Sequence, residues 1–273
     1  MIAVDPPQRD YQADYRTLSA SREEAVSVLL AAASGNVFRA YRRYVARSAD
    51  ASKIFPSRAK KNTREALKSN YPVLRDRAMY GELLQVTEGR CPMCGFGEAS
   101  TLDHYLPSSQ YPEFSVFARN LIPTCARCNQ LKGYWVGKTP GEQFLHAFIH
   151  QIPSIAILVC RVDVQPRTVL VQYRARENHR AEPDVLSRML YQFDRLQLAD
   201  RFKRQALNEI GDRSAAFEQC VAPGANYRAL RDRLRAEAKA FRATLGPNHW
   251  KTALYFALRQ NRAFWSGGFR NAV

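Results

Sequence analysis

Four of the six cysteines stand as two pairs, Cys91-Pro-Met-Cys94 and Cys125-Ala-Arg-Cys128. A C-x-x-C pair sets two thiolates on one tight turn, and two such turns that meet supply the four-sulfur tetrahedron that suits Zn²⁺. Four thiolates close the coordination sphere, so a zinc held there has no position for water and acts as a structural staple. Between the pairs lies Asp103-His104, and Asn129 directly follows the last cysteine. A carboxylate oxygen and an amide oxygen are hard ligands of the kind Mg²⁺ or Mn²⁺ takes, and an imidazole with an ordinary pKa of about 6.5 is available as a base near neutral pH. Adjacent residues on an extended segment point to opposite sides, so Asp103 and His104 can approach one phosphate from two directions.

These residues need elements to hold them. The run STLDHYLP reads as a strand ending at Asp103-His104, NLIP as a short second strand, and CARCNQLKG as the start of a helix that stops by Gly133. Lys132, three residues after Asn129 and on the same helix face, is placed to neutralise a phosphate. Upstream, Ser21 and Glu24 suggest a capping box before a helical apolar pattern. Between Arg39 and Arg77 twelve Lys or Arg stand against three acidic residues, a net of +9. A solvated helical face and a phosphate-tracking surface both fit such a run, and the chain's overall charge favours the second. Arg42, Arg43, Lys60, Lys61 and, beside the cysteines, Arg127 are the expected phosphate contacts. Tyr41, Tyr44 and Tyr71 are candidates for stacking on bases, although helical aromatics more often fill a core.

Downstream, TPGEQFLHAFIHQI suggests a turn and a short helix that sets His146 and His150 four apart. No acid completes an H-E-x-x-H pattern, so packing or solvent is the expected role of both. SIAILVCRVDVQPRTVLVQYRAR predicts a hairpin turning near Pro166, and helical spacing resumes from Pro183 to the end. Cys160 and Cys220 are expected as buried structural thiols. The expected fold class is therefore α+β and mostly helical. It divides into a basic helical segment (1–85), a zinc-stapled module (86–137), and a β-hairpin with helices (138–273).

The formal charge of +16 on 273 residues predicts attraction to a polyanion, of which nucleic acid is the commonest. Hydrophobic residues make up 46%, enough for a sizeable core, and no apolar run approaches the roughly 18 residues that span a bilayer. A soluble cytoplasmic protein with reduced, metal-binding cysteines is expected.

The two C-x-x-C pairs, Asp103-His104, Asn120 sixteen residues further on, the N-L-I-P lead into the second pair, and Cys128-Asn129-x-x-Lys132-Gly133 together resemble the HNH endonuclease family in its four-cysteine form. The resemblance covers residues 91–133 tightly. It implies a ββα-metal module in which Asp103 and Asn129 bind one catalytic Mg²⁺ or Mn²⁺ and His104 is the general base. Asn120 would tie the loop after the histidine to the second strand. Hydrolysis of DNA leaving 5′-phosphate ends is the implied activity, with RNA left open as a substrate. The flanks resemble longer bacterial HNH proteins, some of which serve as the nuclease partner of an ATPase in Septu-type phage defence. From the residues alone, a non-catalytic zinc ribbon that binds nucleic acid or a protein partner stays open as the alternative.

Overall fold

A computed structural model of the chain describes residues 1–221 and 227–272. The protein is α+β and mostly helical, with two separate two-stranded antiparallel sheets. Its contacts divide it into two compact units, Ile2–Gln151 and one that begins at Ile152.

The first unit opens with α1 (Tyr11–Ala20), α2 (Glu24–Ala46), α3 (Lys61–Arg75) and α4 (Ala78–Gln85). Asp10 caps α1 by accepting from the backbone N–H of Gln12 and Ala13 at 3.0 Å. The suggested capping box at Ser21 does not form. Ser21 closes α1 instead, its hydroxyl donating to the Leu18 carbonyl at 2.9 Å, and α2 starts at Glu24 with no side-chain cap. Both caps use the same chemistry, a short polar side chain beside a helix end, and here a free C-terminal carbonyl was the nearer partner. Along α2, Leu30, Ala33, Val37, Tyr41 and Tyr44 repeat at three- and four-residue spacing and form the buried stripe.

Strands β1 (Thr101–His104) and β2 (Leu121–Thr124) pair in antiparallel register, with Asp103 opposite Ile122 and His104 opposite Leu121. Helix α5 (Ala126–Lys132) follows β2 directly and ends at Gly133, whose φ of +56° lets its N–H return to the Asn129 carbonyl. The segment 143–151 is not the expected helix. Phe144, Leu145 and Ala147 are all buried, and the carbonyls of Phe144 and Ala147 accept from the Tyr105 hydroxyl and the Val4 N–H. A helix would have used those carbonyls internally.

The second unit is built on a hairpin of β3 (Leu158–Gln165) and β4 (Thr168–Ala175), joined by the two-residue turn Pro166-Arg167. Leu158 and Val162 share a buried face with Val169, Val171 and Tyr173, as period-two alternation requires. Helices α6 (Pro183–Arg195), α7 (Leu198–Asp212), α8 (Ser214–Val221), α9 (Tyr227–Leu245), α10 (Trp250–Gln260) and α11 (Arg262–Trp265) complete it, with α7 against β4 and α10 against β3. Cys160 and Cys220 are half-buried rather than enclosed. Among the described residues no helix is long and apolar enough to cross a membrane.

Candidate active site

The four cysteines of the two C-x-x-C pairs converge. Their sulfurs are buried and all lie within 4.8 Å of one another, with Cys94 Sγ and Cys125 Sγ 3.9 Å apart. A tetrahedral zinc with arms of about 2.3 Å needs sulfur edges of about 3.8 Å. Backbone N–H groups of Gly97 and Cys128 point at Cys94 Sγ and Cys125 Sγ, each at 3.4 Å, which suits thiolates better than thiols. A Cβ on Gly97 would stand 2.9 Å from both Cys125 Cβ and Cys125 Sγ, so only glycine closes over the cluster. This donor set fits a structural zinc.

The cluster joins the loop before β1 to the start of α5, and between them it fixes the polar residues. His104 ends β1 with its Nε2 2.8 Å from the Ser115 carbonyl. A carbonyl can only accept, so Nε2 carries the proton and Nδ1 keeps its lone pair. Burial, with the nearby Lys132 ammonium, pulls the imidazole pKa down to about 4 against the opposing pull of the Ser115 carbonyl, and the ring is therefore neutral at neutral pH. Tyr71 packs edge-on against it at 4.5 Å.

Asp103 points to the other side of the strand and is 3% exposed. Burial pushes its carboxyl pKa up, and the buried Lys132 opposes that shift with Nζ 3.0 Å from Oδ2 and 3.2 Å from Oδ1. Lys132 Nζ also donates to the His104 carbonyl at 2.7 Å. The lysine therefore sits beneath the strand with its charge on Asp103, not on the surface where the sequence placed it. Asp103 Oδ2 is buried and, among the described residues, accepts no hydrogen bond beyond this ion pair. Asn129, half-buried on α5, donates from Nδ2 to Thr101 Oγ1 at 3.2 Å, and its amide oxygen has no partner among the described residues. Asp103, His104 and Asn129 line one open cavity of about 600 Å³. A carboxylate oxygen held by Lys132 alone and an amide oxygen without a partner among the described residues, on residues that line one cavity, are a fitting donor pair for a hard divalent cation that keeps most of its waters.

Asn120 is completely buried and faces away from that cavity. Its Oδ1 accepts from Leu106 N–H at 2.8 Å and Tyr44 OH at 3.2 Å, and its Nδ2 donates to the carbonyls of Leu106 (3.0 Å) and Phe114 (3.3 Å). It binds the loop that leaves His104 to the entrance of β2. Behind it, His146 Nδ1 accepts from Phe148 N–H, so its Nε2 donates to Tyr44 OH at 2.8 Å. His146 and His150 are joined to each other through the His146 N–H and His150 Nδ1, and the four cysteines are the one group of three or more Cys, His, Asp or Glu among the described residues close enough together to share a metal.

The basic residues divide unevenly. Arg42 and Arg43 on α2, Lys60 and Lys61 at the start of α3, and Arg127 on α5 are exposed, and none of them lines the cavity. Arg75, Tyr71, Tyr80 and Tyr134 line it. Of the three tyrosines singled out in the sequence, Tyr41 stacks on Phe117 at 4.1 Å in the core and Tyr44 is buried, so Tyr71 alone reaches the cavity. Tyr71 and Arg75 stand four apart on α3, a spacing that marks one helix face in the sequence without saying which way it turns.

The site is thus a strand-strand-helix unit held on a four-cysteine cluster, with a neutral histidine and two hard oxygen donors on one cavity. No protein-family model matches the chain, and no solved structure matches it at a significant level. Among curated proteins the chain is 27% identical over 207 residues to protein ea31 of Escherichia phage lambda, covering 70% of this chain and 68% of that protein. It is also 39% identical over 56 residues to the Septu protein PtuB of Bacillus thuringiensis, covering 19% of this chain and 22% of that one.

Proposed function

We propose that the protein is an HNH-type endonuclease that hydrolyses phosphodiester bonds of DNA. The observation that carries this reading is His104 locked by the Ser115 carbonyl, with Nδ1 unprotonated toward a cavity that it shares with Asp103 and Asn129. His104 takes a proton from the attacking water at Nδ1. Its low pKa keeps that nitrogen unprotonated at neutral pH, and Tyr71 restricts the ring. Asp103 Oδ2 and Asn129 Oδ1 are the atoms that would hold Mg²⁺ or Mn²⁺, which when bound supplies Lewis-acid stabilisation of the phosphoryl and leaving oxygens. Lys132 fixes the Asp103 carboxylate and the His104 backbone together. The zinc cluster acts as scaffold.

The similarity to the Septu protein PtuB supports a place in anti-phage defence and, with it, an ATPase as protein partner. The name of ea31 adds no activity to this reading.

The test is Mg²⁺-dependent cleavage of supercoiled plasmid by the wild type and by His104→Ala carrying the same zinc. Loss of a general base lowers the rate by about 10²- to 10⁴-fold. Equal cleavage by both proteins would remove His104 from the chemistry. Binding without cleavage by both would support the non-catalytic zinc ribbon, unless addition of an ATPase partner restores turnover.

A further inference from the structure

The unit beginning at Ile152 carries more of the excess charge than the basic helices do. In residues 152–273, 21 Lys or Arg stand against 11 Asp or Glu, a net of +10. Much of the surface charge is paired, for example Arg270 with Glu218 and Arg233 with Glu237. One groove is different. Beside β4 and the start of α7 lies an open cavity of about 580 Å³, lined by Arg161, Arg174, Arg176 and Lys203, with Asp200 as its one acid. None of these four cationic side chains has a hydrogen-bond or ion-pair partner among the described residues.

The strand geometry explains the alignment. Positions 170, 172, 174 and 176 alternate outward while 169, 171 and 173 are buried, so Arg174 and Arg176 project from the same face about 7 Å apart. Arg161 pairs with Gln172 across the ladder, which makes it a diagonal neighbour of Arg174. The groove continues into a second cavity of about 330 Å³ that shares Val159, Cys160 and Arg176 with the first and adds Arg242 without any carboxylate. Phe256, which lines the second cavity, has its ring face covered by Arg259 at 4.1 Å, so it offers no free platform for a base.

We infer that this groove is a second polyanion site, one that takes the sugar-phosphate backbone of nucleic acid without reading its bases. Unpaired guanidinium groups in a row suit phosphates bidentately, and neither aromatic residue lining the two cavities offers a free face for base stacking, since Phe256 lies under Arg259 and Tyr173 is buried against Phe202. The inference rests on the proposed substrate class but not on cleavage, so it is measured without added divalent cations.

The experiment follows binding of a short labelled DNA duplex of random sequence to the full chain by fluorescence anisotropy across a salt series. Each neutralised phosphate contributes about 0.9 to the slope of log K against log salt. The variant R161Q/R174Q/R176Q/K203Q should bind more weakly, with a slope shallower by about 3 to 4. The charge-keeping variant R161K/R174K/R176K/K203R should keep most of the slope, which separates lost charge from lost structure. An unchanged slope in the glutamine variant overturns the inference. So does an equal loss in the charge-keeping variant, or a polyglutamate peptide that occupies the groove as tightly as DNA at the same salt. A wild type that binds in this way but never cleaves would overturn the nuclease reading and leave this one standing.

Discussion

Two asparagines do the same work in the two units, and only one of them lies in a motif. Asn120 and Asn248 are both essentially unexposed, and each uses its amide oxygen and its amide nitrogen twice. Asn248 accepts from the N–H groups of Ile157 (2.7 Å) and Leu158 (3.0 Å) and donates to the carbonyls of Pro153 and Ile155, both at 2.9 Å, at the entrance of β3. Asn120 does this for the loop that enters β2. A buried amide with four partners replaces the regular ladder where an irregular loop must be enclosed. Asn120 thus matches Asn248 in its bonding, whereas Asn129 makes one side-chain hydrogen bond and its amide oxygen has no partner among the described residues, which is why the proposed metal ligand is Asn129 and not Asn120.

The units differ in what surrounds that amide. Around Asn248 lie helices with continuous apolar stripes, including Leu254, Tyr255 and Leu258 of α10 and Phe202 and Ala206 of α7. Around Asn120 lie two four-residue strands, a seven-residue helix, a buried polar chain and an aromatic cluster of Phe114 and Phe117 against Tyr41 and Tyr44 of α2, and the cysteine cluster closes them. Elements that short have few ladder and helix hydrogen bonds to hold them in place, so the metal should supply a large share of the folding energy of β1, β2 and α5. The largest effect is therefore expected from Cys91→Ser. The variant should lose zinc, cleavage, and hydrogen-exchange protection of β1 and β2, while protection of β3 and β4 stays near wild type. Zinc content and site-resolved exchange read this directly, and equal loss of protection in both sheets would erase the distinction drawn here between the units.

How much of this was legible in the sequence follows from the range of each signal. The convergence of the four cysteines, both strands of the module and the extent of α5 were readable because spacing alone specifies them over a few residues. The hairpin at Pro166 and the α+β class were readable for the same reason. Side-chain direction was not: Lys132 shares a helix face with Asn129, yet whether that face meets solvent or Asp103 depends on how α5 lies over β1. The missing helix at 143–151 has a similar cause, since its carbonyls are taken by Tyr105 and Val4, both distant in sequence. Arg75, Tyr71 and Tyr80 came to the cavity, rather than Arg42 or Lys60, by the same kind of long-range placement.

The next effect down is a matched pair. Asn120→Ala and Asn248→Ala each leave several buried backbone groups unpaired, and each should cost about 3 kcal/mol. Thermal melting should shift by similar amounts in the two variants. Plasmid cleavage, measured below both melting transitions, should fall sharply in Asn120→Ala, because the loop from His104 to Phe114 loses its anchor, and little in Asn248→Ala. If Asn248→Ala abolished cleavage equally, the irregular loop of the second unit would have to act on the site.

The smallest effect separates the two kinds of surroundings most finely. Tyr44 and Tyr173 are both buried, and each hydroxyl has protein partners: Tyr173 donates to the Trp250 carbonyl at 3.0 Å, whereas Tyr44 receives from His146 Nε2 and gives to Asn120 Oδ1. Tyr173→Phe removes one donor from a carbonyl at the start of α10 and should cost about 1 kcal/mol. Tyr44→Phe also strands the buried His146 Nε2–H, which raises the expected cost to about 2 kcal/mol. Adding His146→Leu to Tyr44→Phe takes away that stranded donor, and replacing both members of a buried polar pair by apolar groups is often close to neutral. The double variant should therefore be more stable than Tyr44→Phe plus His146→Leu summed, by about 1 kcal/mol in a double-mutant cycle. A coupling near zero would mean that His146 is held by its neighbours without Tyr44, and the polar chain behind Asn120 would then be two independent contacts rather than one.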